Sequence, residues 1–537
     1  MAAIAQQGYK VKGINNVVIK LYPQVLGIHK VHEHNLCNAL RDFGLMLKAD
    51  CRTELLQYNY DFLKFAHTMR SSELCMIAHG YSMLNLEDRN WWDQFTAVAS
   101  KNSFDMDGKE MAGLLYSLSK VYTGKHPLIA RLIEESTHWI QHATASTLSL
   151  LVKVISNLKI GDSYLHRINA RAIEIVDQLN MVDVIFFVTS NTEAKTHNPE
   201  LYRMLCLRAI KLYDDMELHH LRALAACLSI AGYKSTLFYN ILAIRLVEIC
   251  RNKSLRDGDV ISLFLAYTSQ KFLTQNDLCI DVNVYKQFLK QRFGSVTKDK
   301  FEFPVAELAP VLAKALEENI DRITYNGMPI VLRAISILRL PVDKNLYERV
   351  ICETALYISE NKYDDLKLSN LVVTLAKRQG RHDVFWNAVH ELLSKPGMKI
   401  NADLLAKMTV TLSNHTNDEC RRRVYEDLLQ LSSEHCKYMS VKSIFALTRV
   451  LVANMEVDVL CSTPYVDAII ALVGQLRLSD VFNLFKLYPF RLLPTDDGNL
   501  ARMITAARAA LEKAGDDNSC YAPMKRLIDG VPGYKQE

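Results

Sequence analysis

The stretch Met111-Ala112-Gly113-Leu114-Leu115-Tyr116-Ser117-Leu118-Ser119 sets an apolar residue at a starting position and again three, four and seven residues later. That spacing draws one buried stripe down an α-helix. The stripe returns from Leu36, Leu74, Leu148, Val184, Leu221, Val260, Met328, Leu368, Leu405, Ile444 and Val481. Successive anchors lie 36 to 40 residues apart, apart from one step of 68 between Val260 and Met328. Of the 48 stripe positions 45 are apolar, against about 24 expected from a hydrophobic fraction of 49%, so a repeat and not composition sets the pattern.

Between the stripes runs a second amphipathic segment, at residues 164–176, 201–213, 238–249, 346–358, 384–393 and 421–431. Two helices of about 12 to 15 residues with short turns use about 37 residues, and neither buries its stripe without a neighbouring hairpin. Turn residues fall in the gaps: Gly161-Asp162, the 195–199 segment ending in Pro199, Gly232, Pro341 and Lys395-Pro396-Gly397. Strand patterning is nearly absent. The expected fold is all-α, an α-solenoid of about 12 helical hairpins stacked right-handed.

The long step divides this stack. Residues 31–293 are expected to form an N-terminal repeat arm, 294–320 an irregular insertion with a helix-like run over 305–318 interrupted by Pro310, and 321–494 a C-terminal arm. Residues 495–537 read as a capping helix and tail. Residues 1–30 read as a tail with a candidate targeting segment, since Lys10, Lys12, Lys20 and Lys30 precede the first acid, Glu33, although arginine is missing.

With 64 Lys+Arg against 59 Asp+Glu, the net charge of +5 is far from that of a bulk polycation, so any nucleic-acid surface is local. The 12 cysteines include no CxxC pair, which points to reduced thiols at helix interfaces and a reducing compartment. No apolar run reaches the ~18 to 20 residues that span a bilayer.

Catalytic motifs fail on inspection. Gly124-Lys125 lacks the glycine of a phosphate loop at Ser119, and His126 replaces the residue that would hold magnesium. Glu135, His138 and His142 share a helical face, but Glu and His side by side are commonplace on long helices, and a metal needs a further ligand. His32-Glu33-His34 and His219-His220 sit in no metal frame and read as solvated or capping residues. No nucleophile elbow or dinucleotide fingerprint occurs. The chain is expected to be no enzyme, with no cofactor, no metal and no catalytic residue.

One column carries a binding signal. Five residues after the anchor, about 140° from it around the helix, stand Arg41, His79, Tyr116, Lys153, Arg333, Arg449 and Lys486. On stacked hairpins these positions form a ladder suited to the phosphates and bases of single-stranded RNA. The plainer reading is a solvated face, favoured by Thr189, Ala226, Leu265, Val373 and Val410 in the same column. A rival basic surface comprises Lys286, Lys290, Arg292, Lys298 and Lys300 with Arg421, Arg422 and Arg423. Trp91 and Trp92 offer stacking surfaces, though core packing is the commoner use of adjacent aromatics in a helix.

The runs Ala112 to Lys120, Ser369-Asn370-Leu371-Val372-Val373-Thr374-Leu375-Ala376-Lys377 and Ser443-Ile444-Phe445-Ala446-Leu447-Thr448-Arg449 resemble first helices of octotricopeptide and heptatricopeptide repeats, which are related to the FAST-kinase-like group. The resemblance covers about residues 30 to 490 and implies organellar RNA metabolism. Residues 499–537 are too short and too helical for the RAP domain that often ends such chains, so nuclease chemistry is not implied. Among members without that domain, the chain is similar to helical-repeat subunits of the kinetoplastid mitochondrial RNA-editing substrate-binding complex. The resemblance implies a mitochondrial matrix protein, otherwise a cytoplasmic one, that binds single-stranded RNA or scaffolds other subunits of a ribonucleoprotein complex. The alternative is a structural subunit of another large mitochondrial assembly, such as the mitoribosome or its precursor.

Overall fold

A computed structural model describes residues 52–102, 105–122, 126–160, 162–196, 198–233, 235–270, 280–294, 305–378, 380–395, 397–416, 418–488, 498–514 and 519–531, with 36, 39, 40, 43, 44 and 47. Arg41, the His32-Glu33-His34 cluster, Gly124-Lys125, Lys298, Lys300 and the 1–30 tail lie outside the described residues. The described residues are helical throughout, with no strand.

The helices are α1 Arg52–Gln57, α2 Asn59–Lys64, α3 Ser71–Met83, α4 Arg89–Asn102, α5 Gly108–Ser119, α6 Pro127–Trp139, α7 Ala145–Leu158, α8 Asp162–Glu174, α9 Met181–Glu193, α10 Pro199–Lys211, α11 Leu218–Ile230, α12 Thr236–Cys250, α13 Asp257–Gln270 and α14 Val282–Phe293. They continue as α15 Leu308–Asn319, α16 Met328–Ile337, α17 Lys344–Ser359, α18 Asp365–Ala376, α19 Asp383–Leu393, α20 Ala402–Leu412, α21 Glu419–His435, α22 Val441–Ala453, α23 Val457–Leu460, α24 Thr463–Val473, α25 Leu478–Leu487, α26 Gly498–Ala514 and α27 Tyr521–Asp529.

The stripe is the core. Every stripe position except the half-buried Met111 is buried. The three polar exceptions to the pattern, Asn191, Thr409 and Thr448, are buried too, and each is hydrogen-bonded. Burial of an apolar side chain is worth ~1.5–3 kcal/mol, so this stripe is the main force holding hairpin to hairpin.

Register is repeated almost to the residue. The first helix begins three residues before the anchor at Leu74, Met111, Leu148, Val184, Leu221, Val260, Leu368, Leu405, Ile444 and Val481; only α16 begins on its anchor. Polar residues cap many of these starts: the side chains of Asp107, Thr144, Asn180, Asp364, Asn401 and Ser440 accept first-turn N–H groups that the helix leaves unpaired. Eleven residues after the anchor the chain turns left-handed, at Asn85, Lys159, Lys195, Gly232, Arg339 and Met455. In five of these turns the next N–H returns to the carbonyl at stripe position seven, as from Leu86 to Tyr81 and Thr196 to Asn191, the Schellman closure of a helix. A 3₁₀ turn closes the second helix eight residues before the next anchor, at Ala66–Thr68, Ile140–His142, Val176–Gln178, Tyr213–Asp215, Ile320–Arg322 and Cys436–Tyr438.

The last feature explains the 68-residue step. The turn at Ile320–Arg322 stands in register before Met328, so α15 occupies the second-helix place and α14 is the additional helix. The helix-like run of the insertion is helical over Leu308–Asn319, and Pro310 lies in its first turn, where a missing N–H costs no hydrogen bond.

The helices divide into two units, residues 1–253 with 269–308, and 254–268 with 309–537. In the first, α3, α5, α7, α9 and α11 pack each on the next, and each pairs with the second helix that follows it; α2 packs on α4, α8 on α10 and α12 on α14. In the second unit α16, α18, α20, α22 and α25 form the row of first helices, while α17, α19, α21, α24 and α26 form the row behind. The closing helix α27 packs on α25 and α26. No helix among the described residues is long and apolar enough to cross a membrane.

Candidate nucleic-acid interface

Because each first helix turns its stripe inward, the position five residues on must emerge on the other side. Every described residue of that column is half-buried or exposed. What those residues meet differs between the units.

In the first unit the column is aromatic and its lysine is neutralised. The exposed His79 ring lies 6.4 Å from Tyr116, and Tyr116 lies 6.5 Å from Phe186 on α9. The Lys120 ammonium sits 4.6 Å over the Tyr116 ring. These three rings and one cation offer π faces of the kind on which bases stack. Lys153 is engaged: its ammonium lies 2.7 Å from the Glu193 carboxylate, which also accepts the Ser156 hydroxyl at 2.6 Å. Burial pushes the Glu193 carboxyl up, but the Lys153 and Ser156 hydrogen bonds outweigh it and hold the group below its ordinary range.

In the second unit the column is cationic and open. Arg333 is half-buried, Arg449 and Lys486 are exposed, and none of the three meets a carboxylate in an ion pair among the described residues. Two cations outside the column join this face, Lys377 at the end of α18 and Lys407 on α20. The column rule passes over both, since they stand nine and two residues after their anchors.

The rival basic residues are largely committed elsewhere. Arg292 reaches Glu248 at 3.2 Å and Asp214 at 3.0 Å and lies over the Tyr213 ring. Arg421 is buried; it donates to the backbone oxygens of Arg378 and Gly380 at 3.1 and 2.8 Å and lies 3.0 Å from Asp418, a strut for the preceding repeat. Lys286, Lys290, Arg422 and Arg423 are exposed. Trp91 and Trp92 are both fully buried, with indole N–H groups on the carbonyls of Asn59 and Leu86 at 2.8 Å, so neither offers a stacking face.

The metal constellation does not assemble. Helix α6 ends at Trp139, which leaves His142 in the following 3₁₀ turn, and Glu135 pairs with Arg131 at 3.5 Å. Among the described residues only Asp383, Asp418 and Cys420 bring three donor atoms within 4.8 Å of one another, and the Arg421 guanidinium already occupies the Asp418 side of that group. His220 is a capping residue, its ring nitrogen accepting the Glu217 N–H at 3.2 Å.

Against this geometry, the family model of the RNA-editing substrate-binding complex 6 protein matches residues 45–258. Over that stretch the chain is similar to this family. The matched residues run through the repeats anchored at Leu74 to Leu221 and therefore include His79, Tyr116 and Lys153. No curated protein matches the chain in sequence. A crystal structure of She4p aligns with 98% of this chain and 91% of its own, at 11% identity and a TM-score of 0.32. A likeness of that degree adds nothing to the helix pairing described above.

Proposed function

We propose that the chain is a non-catalytic helical-repeat subunit of the RNA-editing substrate-binding complex of kinetoplastid mitochondria, in the matrix, where it scaffolds other subunits and lays single-stranded RNA along its first-helix faces. The match over residues 45–258 carries the assignment to that assembly. The RNA role is supported by the face itself: rings of His79, Tyr116 and Phe186 with Lys120 in one unit, and Arg333, Arg449 and Lys486 without acidic partners in the other. Nothing in this arrangement brings a nucleophile, a general base and an oxyanion donor together, so binding and not chemistry is the function it supports.

The test is capture of the tagged chain from kinetoplastid mitochondria under mild salt. Recovery of the RNA-editing substrate-binding complex together with mitochondrial RNA is the expected result. Recovery of mitoribosomal proteins in place of that complex would establish the structural-subunit alternative.

A further inference from the structure

Three cations from three successive repeats of the second unit gather on the first-helix face without a counter-charge. Arg333 projects from α16, Lys377 closes α18, and Lys407 projects from α20. The Lys407 ammonium is tethered by an uncharged acceptor, Asn370 Oδ1, at 3.2 Å. Partial burial, and then the charges of Lys377 and Arg333, hold it below the ordinary lysine range.

The acids of the same helices are spent at the helix starts. Asp364 pairs with Lys367 at 3.0 Å, Asp365 accepts the Asn401 N–H at 2.8 Å, and Asp403 accepts the Ser440 N–H at 2.7 Å. The first unit solves the same problem differently, by setting Glu193 against Lys153. Clustered like charges without a partner are unfavourable in the free protein, and multivalent oxygen ligands answer them with charge-assisted hydrogen bonds. Beside Lys377 the face opens into a groove of 790 Å³ lined by Arg378, Arg381 and His415, large enough for a chain and not for a single carboxylate.

We propose that Arg333, Lys377 and Lys407 form a phosphate-binding site that takes a phosphate group of single-stranded RNA. The site rests on the reading of the first-helix face as an RNA surface. Arginine grips phosphate oxygens through its planar fork, while the two lysines act as point charges.

The experiment uses the full chain and a labelled oligouridylate, with and without a 5′-phosphate, titrated across a salt series. The variants are the triple R333Q/K377Q/K407Q and the control K153Q. The triple variant should weaken binding by about tenfold or more and lower the slope of log affinity against log salt by about 0.7 for each phosphate released. K153Q should change neither. Equal loss on both oligonucleotides marks an internal phosphodiester, and loss of a preference for the 5′-phosphate marks a terminal one; either supports the site. With mutual repulsion removed, the triple variant should melt no lower than the wild type, which keeps a loss of binding from being a loss of fold. If the wild type binds RNA and the triple variant binds equally well, the site is overturned and the RNA reading stands. If polyglutamate competes as well as RNA, the ligand is an acidic protein segment and the site as proposed is wrong. If the wild type binds no RNA at any salt, both fall together.

Discussion

Asn191 stands where the stripe calls for an apolar side chain, and Asn169 on α8 answers it. The two amides exchange hydrogen bonds of 2.7 and 3.2 Å, and Asn191 also serves the Phe187 carbonyl and the Thr196 hydroxyl. Removing one partner strands the other in the core. Asn191→Ala should therefore cost about 1–3 kcal/mol, read as a lower urea midpoint, while Asn169→Leu with Asn191→Leu should recover most of it. A single variant with an unchanged midpoint would mean the reciprocal pair is not formed. Histidines act on stability through protonation. His79, His126, His220 and His382 are all held below the ordinary histidine range, chiefly by burial, with neighbouring Lys120 adding to the effect at His79, and Arg421 and Arg378 at His382. The unfolded chain takes up these protons first, near pH 6.5, so the stability they contribute is complete above that value and declines as pH falls toward the lowered folded values. The melting temperature should fall on acidification from about pH 7 to 5, and His382→Gln should flatten the decline. A slope unchanged by that substitution would remove His382 from the account.

At the scale of the element, the left-handed residue eleven after the anchor decides where each first helix stops. Glycine holds this place once, at Gly232, while Lys159, Lys195 and Arg339 accept a conformation that costs a side chain roughly 1 kcal/mol. Lys195→Gly and Arg339→Gly should accordingly raise stability by up to about 1 kcal/mol, and Lys195→Val should lower it, in equilibrium denaturation. The reverse order would mean these turns are not left-handed. Apolar stripes were legible because helix period and burial are local properties of consecutive residues. The turn was not, because five of the six residues that make it carry side chains with no preference for a left-handed backbone. The extra helix in the long step was half legible: its apolar content showed, but only the 3₁₀ turn at Ile320–Arg322 reveals which helix keeps the register.

At the scale of the whole molecule, each unit is a row of first helices backed by a row of second helices, and the exposed side of the first row is where charge is left over. Offset five located that side correctly, since none of its described residues is buried. It did not reveal that Lys153 is neutralised by a carboxylate 40 residues away, that Lys407 and Lys377 join Arg333 from other offsets, or that Arg421 is a buried strut. Pairings across repeats depend on how layers stack, and a single helix's pattern contains no record of them. The most direct measurement is photo-crosslinking of thiouridine-substituted single-stranded RNA to the full chain, with the linked peptides identified by mass spectrometry. Links should fall on first-helix peptides, those holding Tyr116 and Lys120 and those spanning 365–377 and 402–412. Links confined to second helices such as Pro199–Lys211 and Asp383–Leu393, or no links at all, would contradict an RNA path along the first-helix faces.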